Sequence, residues 1–311
     1  MWPNFGSFFG EPLPAYFVML MLGFGAATFV AARAAKRARL DHEVIIDLSL
    51  LSLITGVVGG RLLHVFADGF FWDYVHLCTN PQAVIWRSVT GLAECHELGG
   101  RWDGGASLCH AVERDCLAWA EFWNGGLAYY GGLLAATAAG ITFLRREGFP
   151  VGKGVDFVGA VLPLGIFFGR MGCFLGGCCF GLPTHSHFGV AFPPGSPASY
   201  EQFAAGLIAS KNLESLSVHP TQLYEAFGCL AIAAWLIGYA EPRKRFDGQV
   251  LLLFLGSYAV LRFGIEYLRA DDRGALLGLS TSQLIGVAIL AAVAVIWPRL
   301  AARSRAILGA A

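Results

Sequence analysis

The stretch VLLLFLGSYAVLRFGIEYLR, Val250–Arg269, decides how this chain is read. It opens as a run of apolar, small and aromatic residues and then carries Arg262 and Glu266, four apart and therefore on one helical face. A run of this kind is a bilayer span, where a charged side chain is costly and faces a protein interior, a water-filled cavity or a ligand. Composition agrees: 56% of the 311 residues are hydrophobic and 14% are charged, which defines an integral membrane protein without a separate soluble domain. The formal net charge is zero, and no nucleic-acid partner is expected.

Seven apolar segments lie at about residues 13–32, 44–67, 125–144, 155–175, 221–240, 249–268 and 281–298. Arg33, Lys36, Arg37 and Arg39, then Arg145, Arg146 and Lys153, then Arg243, Lys244 and Arg245, and finally Arg299, Arg303 and Arg305 all fall in every second connection. The positive-inside rule makes those connections cytoplasmic, so the N-terminus is expected outside, the C-terminus inside, and the loops at about 68–124, 176–220 and 269–280 outside. Met1–Leu13 lacks the basic residues of a cleavable signal peptide, so the first helix is expected to remain.

The fold class expected is thus all-α, with seven transmembrane helices and a cysteine-bearing extracytoplasmic loop. Cys78, Cys95, Cys109 and Cys116 share the first outer loop, where an oxidising compartment favours two disulfides in any of three pairings. Trp72, Trp86 and Trp123 read as interfacial belt residues.

On this topology the polar residues converge at one level. Arg61, Arg170 and Arg262 come late in helices running outward, while Tyr16, Tyr130 and His219-Pro220-Thr221-Gln222-Leu223-Tyr224-Glu225 come early in helices running inward. Guanidiniums gathered in the outer half of a membrane suit the phosphate of an outer-leaflet phospholipid, which a planar fork binds bidentately. A closed Arg262–Glu266 ion pair and an Arg61 that snorkels to the interface are the structural alternatives. Asn124-Gly125-Gly126-Leu127, Tyr130-Gly131-Gly132-Leu133 and the glycines from Gly169 to Gly181 allow close helix packing, and Gly169 and Gly172 leave the backbone beside Arg170 open to a ligand or another helix.

Cys173, Cys178 and Cys179 lack the two separated Cys-x-x-Cys pairs of a zinc site, and His185 and His187 would complete only an irregular set. A Cys178–Cys179 vicinal disulfide would be strained, so small-residue packing or pairing with another loop is expected. Neither a metal nor a cofactor is expected.

Taken together the motifs resemble those of the bacterial prolipoprotein diacylglyceryl transferases. The resemblance rests on Tyr16, Gly59-Gly60-Arg61-Leu62, Gly125-Gly126-Leu127-Ala128-Tyr129-Tyr130-Gly131-Gly132-Leu133-Leu134, Asp156, Pro163, Gly169-Arg170, the run His219–Glu225, and Tyr258 with Arg262 and Glu266. It implies one transmembrane transferase domain over 1–311, with 68–124 as an insertion, in the bacterial inner membrane. The implied reaction moves the diacylglyceryl group of phosphatidylglycerol to the lipobox cysteine of a prolipoprotein signal peptide, forming a thioether and releasing glycerol phosphate. Arg170 and Arg262 would clamp the departing phosphate, Glu266 would orient Arg262, and Tyr130 would sit at the thiol-activating position. Tyr16, Arg61, His219, Gln222, Tyr224, Glu225 and Tyr258 would contact the lipid.

The chain departs from the family pattern twice: Tyr130 replaces the usual histidine base, and Cys173 replaces an asparagine. A phenol is a poor base at neutral pH, which puts a histidine-based mechanism in doubt. A non-catalytic lipid-binding or lipid-moving protein, or a related transferase with another acceptor, are the alternative readings.

Overall fold

The computed structural model describes residues 4–8, 11–86, 89, 91–121, 126–270, 274–276 and 278–309. Trp123, Asn124 and Gly125 of the sequence analysis lie outside them. The chain forms two compact units, one from Met1–Ile46 with Pro150–Ala311 and the other from Asp47–Phe149.

Among the described residues six helical spans are long and apolar enough to cross a membrane: Ala15–Arg37, His42–Ala67, Val151–Gly176, Thr221–Arg243, Gln249–Glu266 and Thr281–Ala306. The helices are named in chain order: α1 Ala15–Arg37, α2 His42–Ala67, α3 Phe71–Thr79, α4 Leu92–Glu97, α5 Tyr129–Arg146, α6 Val151–Gly176, α7 Pro197–Ala204, α8 Thr221–Trp235, α9 Gln249–Glu266 and α10 Thr281–Gly309. The third apolar segment expected from sequence forms α5, which at 18 residues and with less apolar composition stands outside the six. Among the described residues there are also three two-stranded antiparallel ribbons: β1 Asn4–Phe8 with β2 Glu11–Pro14, β3 Arg101–Asp103 with β4 Leu108–His110, and β5 Ala275–Leu276 with β6 Leu279–Ser280.

In the first unit α6 is the central element, packed on α1, α8 and α9, with α10 against α9. Small residues make the approach possible. A Cβ at Gly172 would stand 2.9 Å from the Tyr16 ring, and one at Gly159 would stand 2.6 Å from Leu251 Cα, so α6 meets α1 and α9 nearly backbone to backbone. Large apolar side chains such as Phe29 and Val260 point outward and are exposed. In water such a surface would drive association; in lipid it is the solvated face.

Asp156 of α6, fully buried, holds the start of α9. Its Oδ1 accepts from Val250 N at 2.8 Å and Leu251 N at 3.3 Å, and its Oδ2 from Gly248 N at 2.9 Å and Lys244 Nζ at 3.0 Å. The first amides of a helix have no partner within it, and this carboxylate supplies one from 92 residues away in sequence.

The second unit joins α2 to α5 through glycines: Gly59 and Gly131 face each other so closely that a Cβ on either would run into the other's backbone. The segment between these helices is a small subdomain carrying α3, α4 and the β3–β4 ribbon. Two disulfides fix it, Cys78–Cys116 with Cα atoms 4.4 Å apart and Cys95–Cys109 at 5.7 Å, which selects one of the three pairings left open by sequence. Trp86 corrects its reading as a belt residue. With Trp102 it packs on buried Val89, Cys95 and Cys109, so its ring belongs to the core of this subdomain.

Denatured, unreduced protein is expected to alkylate at Cys173, Cys178, Cys179 and Cys229 only; prior reduction should add Cys78, Cys95, Cys109 and Cys116. Peptide mapping of the labels checks the pairing as well as the number.

Candidate active site

Arg170 lies in the last two turns of α6, and its Nη2 is 3.0 Å from Oε1 of Glu225 in α8. Tyr258 of α9 donates to the same Oε1 at 2.8 Å. Glu225 is fully buried, and among the described residues its Oε2 has no hydrogen-bond partner. A buried carboxylate carrying one such oxygen retains a strong acceptor beside the guanidinium. One helix therefore supplies the cation, a second the anion that fixes it, and a third the phenol that orients the anion.

Arg262 of α9 is buried and pairs with Glu266 one turn on, Nη2 to Oε2 at 2.6 Å, while the same nitrogen is 3.4 Å from Ser282 Oγ in α10. Nothing in the residue pattern around Ser282 marks it as a site contact. Tyr16 stands at the start of α1 against Gly172, and its side chain is 45% exposed. Gly169, by contrast, faces open space: a Cβ there would meet only Leu20, at 3.9 Å.

The His219–Glu225 run has a second task. Thr221 Oγ1 donates to the Cys179 carbonyl at 3.0 Å and Gln222 Nε2 to the Cys178 carbonyl at 2.8 Å, so this run grips the turn that follows α6. Thr221 and Gln222 are both buried, and Gln222 Oε1 has no hydrogen-bond partner among the described residues. His219 Nδ1 lies 3.3 Å from Tyr224 Oη, and its backbone pairs with Gly181 and Leu182. A side chain on Gly181 would collide with the Leu268 carbonyl, so the glycine is required for the turn to thread between 217–219 and 268–269.

That turn brings three thiols together. Sγ of Cys173, Cys178 and Cys179 all lie within 4.8 Å of one another, and all three are free thiols, so pairing with another loop is not what holds them. His185 and His187 do not join the group. Hydrogen bonds from Cys173 and Cys178 hold the Cys179 thiol well below its ordinary pKa, with Arg269 and then Arg170 adding to the effect.

In the second unit Arg61 is buried and holds its own chain. Nε donates to Trp119 O at 2.7 Å, Nη2 to Ala118 O at 2.5 Å and Nη1 to Gly126 O at 3.2 Å, with the guanidinium 5.2 Å from the Tyr74 ring centre. These contacts make Arg61 a clamp on the carbonyls of Ala118, Trp119 and Gly126, a different role from snorkelling. Gly126, with φ of 69°, has no room for a Cβ between Arg61 and His64. Tyr130 opens α5, exposed, with its ring 5.6 Å from that of Tyr129.

A cavity of about 580 Å³ lies elsewhere in the first unit, lined by Arg33, Arg37, Phe157, Ala160, Glu241 and Lys244 among others. Its α6 residues precede Arg170 by nine residues or more, roughly 14 Å of helix, so it is separate from the arginine pairs.

These features define a polytopic helical membrane protein with two carboxylate-fixed arginines near helix ends. The chain belongs to the prolipoprotein diacylglyceryl transferase family, whose model matches residues 6–298. It is similar to the phosphatidylglycerol–prolipoprotein diacylglyceryl transferase of Clostridium tetani, at 27% identity over 92% of this chain and 93% of that one. The enzymes of the same name from Sinorhizobium medicae and Stenotrophomonas maltophilia are 34% and 28% identical, over 76% and 89% of this chain and 84% of each relative.

Proposed function

We propose that this protein transfers the diacylglyceryl group from phosphatidylglycerol to the thiol of a prolipoprotein's lipobox cysteine. The observation that carries the reading is the family match across nearly the whole chain, spanning both units. Sulfur attacks the glyceryl carbon bonded to the phosphate oxygen, a C–S bond forms, the C–O bond breaks, and glycerol phosphate leaves with the electron pair. Arg170 and Arg262 meet the charge that grows on the departing phosphate. Their fixed carboxylate partners support this, because a guanidinium already oriented in a site of low dielectric needs no reorganisation as the bond breaks. Glu225 with Tyr258 positions Arg170, and Glu266 positions Arg262. The buried acceptor atoms Glu225 Oε2 and Gln222 Oε1 suit the hydroxyls of a glycerol headgroup. Tyr16, His219 and Tyr224 complete the lipid contacts, and Arg61 acts on the fold.

In this reading the chain is one transferase domain with 68–124 as an extracytoplasmic insertion. It crosses the bacterial inner membrane seven times, α5 included, with its N-terminus outside and its C-terminus in the cytoplasm. The alternation of basic connections and the two disulfides in 68–124 support that orientation.

The test is purified protein with phosphatidylglycerol and a lipobox peptide, scored by mass spectrometry for thioether-linked product. Product requires the peptide cysteine; lipid binding without product would favour a non-catalytic lipid-binding protein. In the same assay Tyr130→Phe is expected to lose less than about tenfold, against the roughly 10²–10⁴-fold loss that follows removal of a general base.

A further inference from the structure

The three convergent thiols of Cys173, Cys178 and Cys179 are not used by the phosphate chemistry above, and their placement follows from backbone geometry. Gly177 ends α6 with φ of 73°, Cys178 N–H bonds the Cys173 carbonyl at 3.1 Å and Gly177 N–H bonds the Phe174 carbonyl at 3.2 Å. This six-to-one and five-to-two pattern sets the residue four before Gly177 against the residue one after it, here Cys173 and Cys178. Cys179 then takes φ of 63°, an uncommon conformation for a residue with a Cβ. Thr221 and Gln222 hold the turn in this form by hydrogen-bonding the Cys179 and Cys178 carbonyls from α8.

We propose that Cys173, Cys178 and Cys179 form a zinc site whose fourth position takes the thiol of the acceptor peptide. Four sulfurs around zinc, each about 2.3 Å from the metal, stand about 3.8 Å apart, so three already within 4.8 Å of one another close on the ion through small side-chain rotations. Among the described residues no fourth histidine, cysteine or carboxylate joins the group. Three protein ligands and one open position is the arrangement of zinc sites that act on a substrate. Zinc with four thiolates carries two negative charges; Arg269 hydrogen-bonds Cys179, and Arg170, itself paired with Glu225, lies within electrostatic reach of Cys173 and Cys179.

The chemical consequence rests on the transferase reading; the zinc site itself does not. On entering the fourth position the peptide thiol releases its proton to solvent and remains as thiolate, since metal coordination deprotonates a thiol outright. The sulfur then forms the C–S bond as the glyceryl C–O bond breaks and glycerol phosphate departs. The neutral thioether product is a weaker ligand and exchanges out.

The test uses the full-length protein in detergent, purified without chelator. Elemental analysis should find about one zinc per chain, falling below about a tenth in the Cys173→Ser, Cys178→Ser and Cys179→Ser variants and unchanged in Cys229→Ser, whose thiol is buried elsewhere in α8. Cobalt-substituted wild type should show thiolate-to-cobalt absorption in the near ultraviolet and the visible bands of a tetrahedral ion. A lipobox peptide should shift those bands, and its Cys→Ser analogue should not. Unfolding midpoints of the variants separate loss of metal from loss of fold. Zinc content equal in wild type and the serine variants, a disulfide among the three cysteines, or bands indifferent to the peptide would each overturn the proposal. Its failure is distinguishable from failure of the transferase reading: transfer that persists without metal removes the zinc step alone, whereas bound zinc with no thioether product removes the reaction.

Discussion

Replacing Arg170 by alanine is expected to lower diacylglyceryl transfer by about 10²–10³-fold, the loss that follows removal of one fixed donor from a site where negative charge develops. The same change leaves buried Glu225 without its cation, which by itself costs about 3–5 kcal/mol of stability when a buried pair is broken from one side. Arg170→Lys separates the two effects. An ammonium restores a charge opposite Glu225, so its unfolding midpoint should return most of the way to wild type. Transfer should remain at least about tenfold down, because lysine lacks the planar fork that grips two phosphate oxygens. The measurements are initial rates with phosphatidylglycerol and lipobox peptide, and thermal unfolding in detergent. Full activity in Arg170→Lys would show that only the charge matters. Full activity in Arg170→Ala would remove this residue from the phosphate clamp.

The second large effect falls far from the chemistry. Asp156→Ala removes the shared acceptor of three backbone amides and Lys244 Nζ at a buried position. A loss of about 3–5 kcal/mol is expected, or roughly 6–20 °C in the unfolding midpoint. Asp156→Asn keeps one carbonyl acceptor but loses the charge facing Lys244, and should fall between alanine and wild type. Because α9 carries both Tyr258 and Arg262, transfer at a permissive temperature should fall with the fraction of folded protein. If the alanine variant unfolds like wild type, the carboxylate is not what secures the start of α9.

Local composition is enough to mark the helices, because a bilayer rewards an unbroken apolar run whatever its tertiary partners are. The expected segments at about 155–175 and 249–268 meet α6, Val151–Gly176, and α9, Gln249–Glu266, within a few residues. The Arg262–Glu266 pair was legible for the same reason: two charges four apart on one helix meet without help from the rest of the chain. Four cysteines in one loop announced two bridges but could not choose a pairing. That choice depended on how α3, α4 and the β3–β4 ribbon pack around Trp86 and Trp102.

Contacts between distant segments were not legible, because lipid solvates the outer faces and leaves little apolar and polar alternation to show which face turns inward. Glu225 could be chosen as a site residue, but its place opposite Arg170 and beneath Tyr258 comes from α6, α8 and α9 meeting through small residues. Arg61 looked equally suited to a lipid phosphate; the carbonyls of Ala118, Trp119 and Gly126 hold it in the folded chain. Cys173, Cys178 and Cys179 have no spacing that a metal motif would predict. Their sulfurs converge because a glycine-capped helix end, a positive φ at Cys179 and two side chains from α8 fold a short turn back on itself. The sequence by itself determined which segments are apolar enough to form long membrane-type helices and which residue types could carry the reaction. The tertiary structure decided which of those residues face one another, since helix pairing depends on backbone approach at particular glycines and on carboxylates reaching across long stretches of chain.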